Sequence, residues 1–163
     1  MVTGASGGLG LEIASVLVAK GAEVIVAARN EEKGKAAAIK LGRSARFERL
    51  DLADLSSVKA FAERLIQHSQ PISLLINNAG IAAPPKRQVT RDGFELQFGT
   101  NFLGHFALTA RLMPLLDKAL APRVVTVSSL VEKSARVCMS DLMSEHNYSP
   151  TRSYGQSKLA NLL

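Results

Sequence analysis

Cysteine is almost absent from this chain. Cys138 is the only one, so no disulfide can close within it and a cysteine-based metal site is not expected. As a small, half-buried apolar residue Cys138 needs no further role. Tryptophan is missing, and two tyrosines and six phenylalanines leave few rings on which nucleic-acid bases could stack. The three histidines, His68, His105 and His146, are too scattered to suggest a metal site, and no metal is expected. No apolar run approaches the ~20 residues that a membrane-spanning helix needs. No basic, apolar, small-residue signal opens the sequence. Acidic residues are outnumbered by basic ones, 14 to 20, for a net charge of +6. The basic residues are spread along the chain, with Lys33, Lys35 and Lys40 on one solvent-facing helix. Without a basic stripe interleaved with aromatics, a solvated surface plus a site for an anionic small molecule accounts for the charge better than nucleic acid. A soluble protein of the cytoplasm is the expectation.

What is present has a clear rhythm. Short β-branched or aliphatic runs at Glu23–Ala28, Arg46–Leu50, Ile72–Ile76 and Arg123–Val127 alternate with helical patterns at Leu9–Lys20, Glu31–Leu41, Leu55–His68 and Asp92–Leu116. Leu55, Val58, Ala62, Leu65 and Ile66 follow helical spacing, with Asp54 placed to cap them. The third run is the weakest strand, because Arg46, Glu48 and Arg49 leave it few apolar positions. Such alternation specifies a parallel sheet covered by helices. Right-handed crossovers then make a doubly wound α/β sheet the economical assembly. Residues 81–90 read as a Pro-bearing loop and residues 130–152 as a long irregular one. A loop of that length in a compact domain is either functional or disordered.

The segment Thr3-Gly4-Ala5-Ser6-Gly7-Gly8-Leu9-Gly10 follows a two-residue strand stub and opens a helix. Glycines there permit a tight turn and close approach of the backbone to a pyrophosphate. The helix N-terminus offers unpaired N–H groups to the phosphates. The spacing is TGxxxGxG rather than GxGxxG. Further along come Asn77-Asn78-Ala79-Gly80, Asn101 within NFLGHF, Ser129 after VTVS, and Tyr154-Gly155-Gln156-Ser157-Lys158. In this order the motifs resemble the short-chain dehydrogenase/reductase family, nearest in wording to its retinol-dehydrogenase-like branch, across essentially the whole chain. The resemblance implies a Rossmann-like fold, hydride transfer between a nicotinamide cofactor and a carbonyl or alcohol, and cofactor contacts at Gly4, Ser6, Gly8, Leu9 and Gly10. By the same resemblance Asp51 and Leu52 would contact the adenine, and Asn77, Ala79 and Gly80 would lie near a ribose.

The end of the second strand selects between cofactors. An acid there accepts hydrogen bonds from the ribose 2′-OH of NAD, whereas an arginine accommodates the 2′-phosphate of NADP. Here Ala28 takes the acid's place and Arg29 follows, so NADP is preferred over NAD. Ser6 would add a hydroxyl contact, while the second basic residue that some NADP-dependent relatives carry in the glycine loop is missing.

Tyr154 and Lys158 are four apart on a helical pattern and share one face. A phenol holds its proton too tightly for easy transfer at neutral pH, and a neighbouring ammonium favours the phenolate. The resemblance makes Tyr154 the acid/base and gives Lys158 a second task on the nicotinamide ribose. It makes Ser129 rather than Ser128 the residue that binds the substrate oxygen, and Asn101 the anchor of a water linking Lys158 to solvent. The interval from Ser129 to Tyr154 is longer than is common in the family, although the retinol-dehydrogenase-like branch carries such an insertion. His105, beside Asn101, invites the role of proton carrier, but a satisfied or exposed histidine is the plainer reading.

The stub of a first strand and a last helix barely begun at Leu163 suggest a single-domain fragment, residues 1–163, whose C-terminal strands and substrate-covering loop are missing. The rival to an enzyme is a nucleotide-binding or interaction module that does not turn over, or a broken gene product. Against that rival stand the four intact catalytic positions. Retinoid, steroid, xenobiotic carbonyl and simple ketone all remain open as substrates, and so does self-association into a homo-oligomer.

Overall fold

The apolar runs become five parallel strands. The computed structural model describes residues 1–163, with β1 at Val2–Thr3, β2 at Val24–Ala28, β3 at Ala45–Arg49, β4 at Leu74–Asn77 and β5 at Arg123–Thr126. Their order across the sheet is β3-β2-β1-β4-β5. Although it has only two residues, β1 is central: Val2 sits opposite both Val26 and Ile76. Order reverses between β1 and β4, and the crevice beyond the carboxyl ends of the strands at such a reversal is where this architecture binds ligands.

Helices cover both faces. α1 (Gly8–Ala19) and α2 (Glu31–Leu41) lie on one side, while α3 (Leu55–His68) and α5 (Gly104–Leu116) lie on the other. Alternation along β2 divides its side chains between the two cores. Val24 and Val26 join Ala14 and Ala37, whereas Ala27 joins Phe61, Leu65, Leu108 and Leu112. Each large apolar side chain fully buried this way contributes roughly 1.5–3 kcal/mol. Both ends of α2 and α3 match expectation. Asn30 accepts from Lys33 N, and Asp54 accepts from Ser56 N and Ser57 N, satisfying amides that have no partner within the helix. The charged third run forms a strand because it is an edge, with only β2 beside it. There Glu48 meets Arg46 and Arg64 at the surface while Phe47 turns inward against the second core.

Three expectations needed correction: Cys138 is exposed rather than half-buried, and two helices differ from their expected bounds. The helix expected from Asp92 starts at Leu96, with α4 (Leu96–Phe98) running through a π-helical turn (Gly99–Leu103) into α5. Asp92 instead accepts a bond from Leu55 N, Gly93 has a positive φ of 86°, and Glu95 caps α4 by accepting from Gln97 N and Phe98 N. The last helix, α6, is well formed rather than barely begun: it spans Pro150–Ala160, with a proline in its first turn, where a missing N–H costs nothing. Residues 130–149 hold only two 3-10 turns, Leu130–Ser134 and Met139–Asp141. No helix is long and apolar enough to cross a membrane.

Candidate active site

A cleft of about 610 Å³ opens along the carboxyl ends of the strands. Its floor is the glycine loop. Gly4 has φ +68°, and a Cβ there would lie 2.9 Å from the Cα of Ala79. A Cβ on Gly10 would lie 2.5 Å from Asn78 Nδ2 and 2.6 Å from the Gly4 carbonyl. Any side chain at either position would push loop and strand apart. α1 carries no side-chain cap and no acidic residue in its first turn, so its leading amides and positive dipole end remain available to an anion. Gly4, Ser6, Leu9 and Gly10 line the cleft. Gly8, also expected to touch the cofactor, does not line it and instead opens α1 with φ +53°.

Thr3 ties this floor together. Its hydroxyl accepts from the amides of Asn78 and Ala79 at 2.9 and 3.0 Å, and Asn78 Nδ2 donates to the Thr3 carbonyl at 2.9 Å. The Asn-Asn-Ala-Gly stretch thus locks onto β1, bringing Ala79 and Gly80 into the cleft with Asn78. Asn77 behaves differently from expectation. Its side chain is buried and turned away from the cleft, with Nδ2 donating to Thr109 of α5 at 3.1 Å. Asn78, not singled out from the sequence, is the cleft residue. Thr100 also lines the cleft, and its buried hydroxyl has no partner.

At one end of the cleft Arg29 stands exposed after β2, beside buried Ala28, and enters no ion pair. Asp51 and Leu52 line the same end, where Asp51 Oδ1 accepts from Ala53 N at 3.0 Å. The glycine cradle and the uncapped α1 fit the pyrophosphate of a dinucleotide, and the unpaired Arg29 guanidinium lines the same cleft.

At the other end are Ser128, Ser129, Tyr154 and Lys158. Lys158 Nζ lies 5.8 Å from the centroid of the Tyr154 ring and donates to the Val127 carbonyl at 3.0 Å. Burial pushes the Lys158 ammonium below its ordinary range, because an ion loses hydration there. The adjacent serines differ. Ser128 donates to the Lys158 carbonyl at 2.9 Å, whereas Ser129 accepts only a long bond, 3.5 Å, from Val131 N. Ser129 therefore keeps its hydroxyl proton uncommitted.

Asn101 sits in the π turn, fully buried. Its Nδ2 donates to the Ile81 carbonyl and to Ser157 Oγ at 3.0 and 2.9 Å, and its Oδ1 accepts from Ile81 N at 2.8 Å. Both amide protons are spent on protein partners, so only an oxygen lone pair is left to hold the expected water. A methyl group on Gly80 would lie 3.4 Å from Asn101 Oδ1 and 3.6 Å from Lys158 Nζ, which places both atoms around that glycine. His105 is buried, not a solvent-facing proton carrier, and it bonds both Thr3 and the Asn101 carbonyl. Gln97, which no sequence motif marks, also braces the site. Fully buried, it accepts from Ala83 N at 2.7 Å and donates to the Pro150 carbonyl at 3.1 Å, joining the loop after β4 to the start of α6. Its only sequence signal was a polar residue on an otherwise inward helix face.

Residues 1–141 match the family model described as short chain dehydrogenase. The whole chain is 40% identical to mouse retinol dehydrogenase 12 and 41% identical to human polyprenol dehydrogenase, covering 53% and 52% of their lengths. The chain thus spans about half the length of the curated relatives it matches. Among solved structures, an uncharacterised Mycobacterium paratuberculosis protein superimposes with a TM-score of 0.88 at 48% identity, covering 98% of this chain and 57% of that one. A Shigella flexneri short chain dehydrogenase complexed with NADP superimposes at 0.76 and 29% identity, covering 98% of this chain and 65% of that one.

Proposed function

The chain belongs to the short chain dehydrogenase family, and on that premise we propose that residues 1–163 form the cofactor-binding and acid–base unit of an NADP-preferring oxidoreductase acting on a carbonyl or alcohol. The observation that carries the reading is the convergence of Ser129, Tyr154 and Lys158 on the cleft that is floored by the glycine cradle and lined by Arg29. Bound NADP(H) would supply or accept the hydride. Gly4, Ser6, Leu9 and Gly10 would hold its phosphates, Arg29 the 2′-phosphate, and Asp51 and Leu52 its adenine.

The chain's own residues supply position, a proton and a contact for developing charge. Ser129 donates to the substrate oxygen, and Tyr154 gives a proton to that oxygen in reduction or takes it in oxidation. The Lys158 ammonium, held by the Val127 carbonyl, stabilises negative charge as it develops on the Tyr154 oxygen. Asn101 braces the loop after Gly80 and the Ser157 turn of α6, which keeps Lys158 beneath the cleft. The likeness to retinol and polyprenol dehydrogenases makes long apolar alcohols and their carbonyl counterparts the first substrates to test.

The test is turnover of such a panel with NADPH or NADP⁺ by the native protein and by Tyr154→Phe. The variant removes one hydroxyl, so NADPH binding should survive while turnover falls about 10²–10⁴-fold, the scale of a lost general acid. Near-native activity in Tyr154→Phe would end the mechanism. NADPH binding without turnover of any carbonyl or alcohol would favour the rival, a nucleotide-binding module.

A further inference from the structure

α5 points Leu108, Leu112, Leu115 and Leu116 into the larger core. One turn before Leu108, a further apolar residue would extend that stripe, yet the position holds His105, only 3% exposed. Burying an imidazole costs free energy unless both nitrogens are bonded, and here both are. Nδ1 lies 3.0 Å from the Asn101 carbonyl and Nε2 lies 2.9 Å from Thr3 Oγ1.

These contacts assign the ring's proton. A carbonyl only accepts, so Nδ1 carries the hydrogen and donates to Asn101. In the neutral ring Nε2 is then an acceptor. Thr3 Oγ1 already accepts from the amides of Asn78 and Ala79, so its single proton is directed at Nε2. The competing Ile76 carbonyl is more distant, at 3.4 Å. Protonating Nε2 would turn a donor against a hydroxyl with its acceptor capacity in use. Burial, and secondarily the Lys158 charge, hold the imidazole down to about 4, against the opposing effect of its bond to Asn101.

The bonds run on in both directions. Thr3 fixes β1 to Asn78 and Ala79 on the cofactor side. Asn101 passes the linkage through Nδ2 to Ser157 Oγ at 2.9 Å, one residue before Lys158. Thr3, His105, Asn101 and Ser157 are all buried. We propose that His105 is a positioning residue, held in the Nδ1–H form, that sets the π turn relative to the glycine-loop strand and thereby places Lys158 and Tyr154 against the cofactor cleft. It does not line the cleft. Its effect on turnover rests on the acid–base reading above, whereas its tautomer does not.

Two measurements on the protein test it. Long-range proton–nitrogen NMR correlations of the His105 ring at pH 7 should show a neutral Nδ1–H tautomer. An Nε2–H or doubly protonated ring would overturn the proposal. In kinetics, His105→Phe keeps a planar ring but loses both bonds. It should lower kcat about 10–100-fold, as expected for a displaced catalytic group, change NADPH affinity much less, and move the pH profile of kcat. His105→Gln, with a donor and an acceptor at its tip, should recover most of that loss. Should His105→Phe fail to fold, Ser157→Ala, which cuts the linkage at its far end, should shift the same pH profile. A native kcat and profile in the folded variants, or a loss confined to melting temperature, would overturn the positioning role. If Tyr154→Phe stays active while the tautomer is as described, the acid–base reading fails and the hydrogen-bond assignment stands.

Discussion

Ser128 donates its hydroxyl proton to the backbone carbonyl of Lys158 at 2.9 Å, joining the end of β5 to the helix that carries Tyr154. Its neighbour Ser129 makes no such bond and faces the cleft. The two hydroxyls therefore predict different losses. Ser129→Ala should cut turnover and leave NADPH affinity and melting temperature nearly unchanged. Ser128→Ala should cost about 0.5–1.5 kcal/mol of stability, the worth of one internal hydrogen bond, with a smaller effect on kcat. Steady-state kinetics beside thermal melts separate them, and a reversed pattern would shift the catalytic serine by one residue.

The proposed preference for NADP rests on Arg29, exposed and without an ionic partner where Ala28 leaves no carboxylate. NADPH should bind at least about tenfold more tightly than NADH, a difference of about 1.4 kcal/mol. Arg29→Asp should abolish or reverse the preference. Fluorescence titrations with both cofactors give the answer directly, and equal affinities in the native protein would remove Arg29 from the site.

The glycine cradle can be tested by contrast. Gly10→Ala puts a methyl group 2.5 Å from Asn78 Nδ2 and 2.6 Å from the Gly4 carbonyl. It should cost about 1–3 kcal/mol of stability and weaken NADPH binding. Gly7→Ala meets nothing within 4 Å on an extended backbone and should leave the melting temperature unchanged. Equal melting temperatures for the two variants would show that the loop is looser than its packing indicates.

Acid should destabilise the protein through His105. The imidazole falls from its ordinary 6.5 to about 4 on folding, so between those values the unfolded chain binds a proton that the native state does not. Its contribution is complete above 6.5, declines as pH drops, and is fully lost below about 4. A gap of that size is worth about 3 kcal/mol. Denaturant melts from pH 7 to 4.5 should show a slope that His105→Gln reduces by about one proton. An unchanged slope would mean that the imidazole is not buried in its neutral form.

Much of the site was legible in residue type and spacing. Glycines that allow close backbone approach, and a Tyr–Lys pair one helical turn apart, carry their consequences locally. The cleft accordingly contains Gly4, Gly10, Arg29, Ser129, Tyr154 and Lys158. Helix boundaries are legible where caps are local, at Asn30 and Asp54. At Asp92 the boundary is not local, because its side chain bonds Leu55 far away in sequence.

By itself, then, the sequence determined the alternation of strands and helices, the glycine turn and the order of the candidate-site motifs, because each depends on neighbours a few residues apart. Only the tertiary structure decided which asparagine of the pair enters the cleft, which serine is spent on α6, and that His105 reaches Thr3. Those outcomes depend on hydrogen bonds between residues 30 to 102 positions apart. A buried polar group must find its partner wherever the fold brings one, and that partner is not encoded beside it.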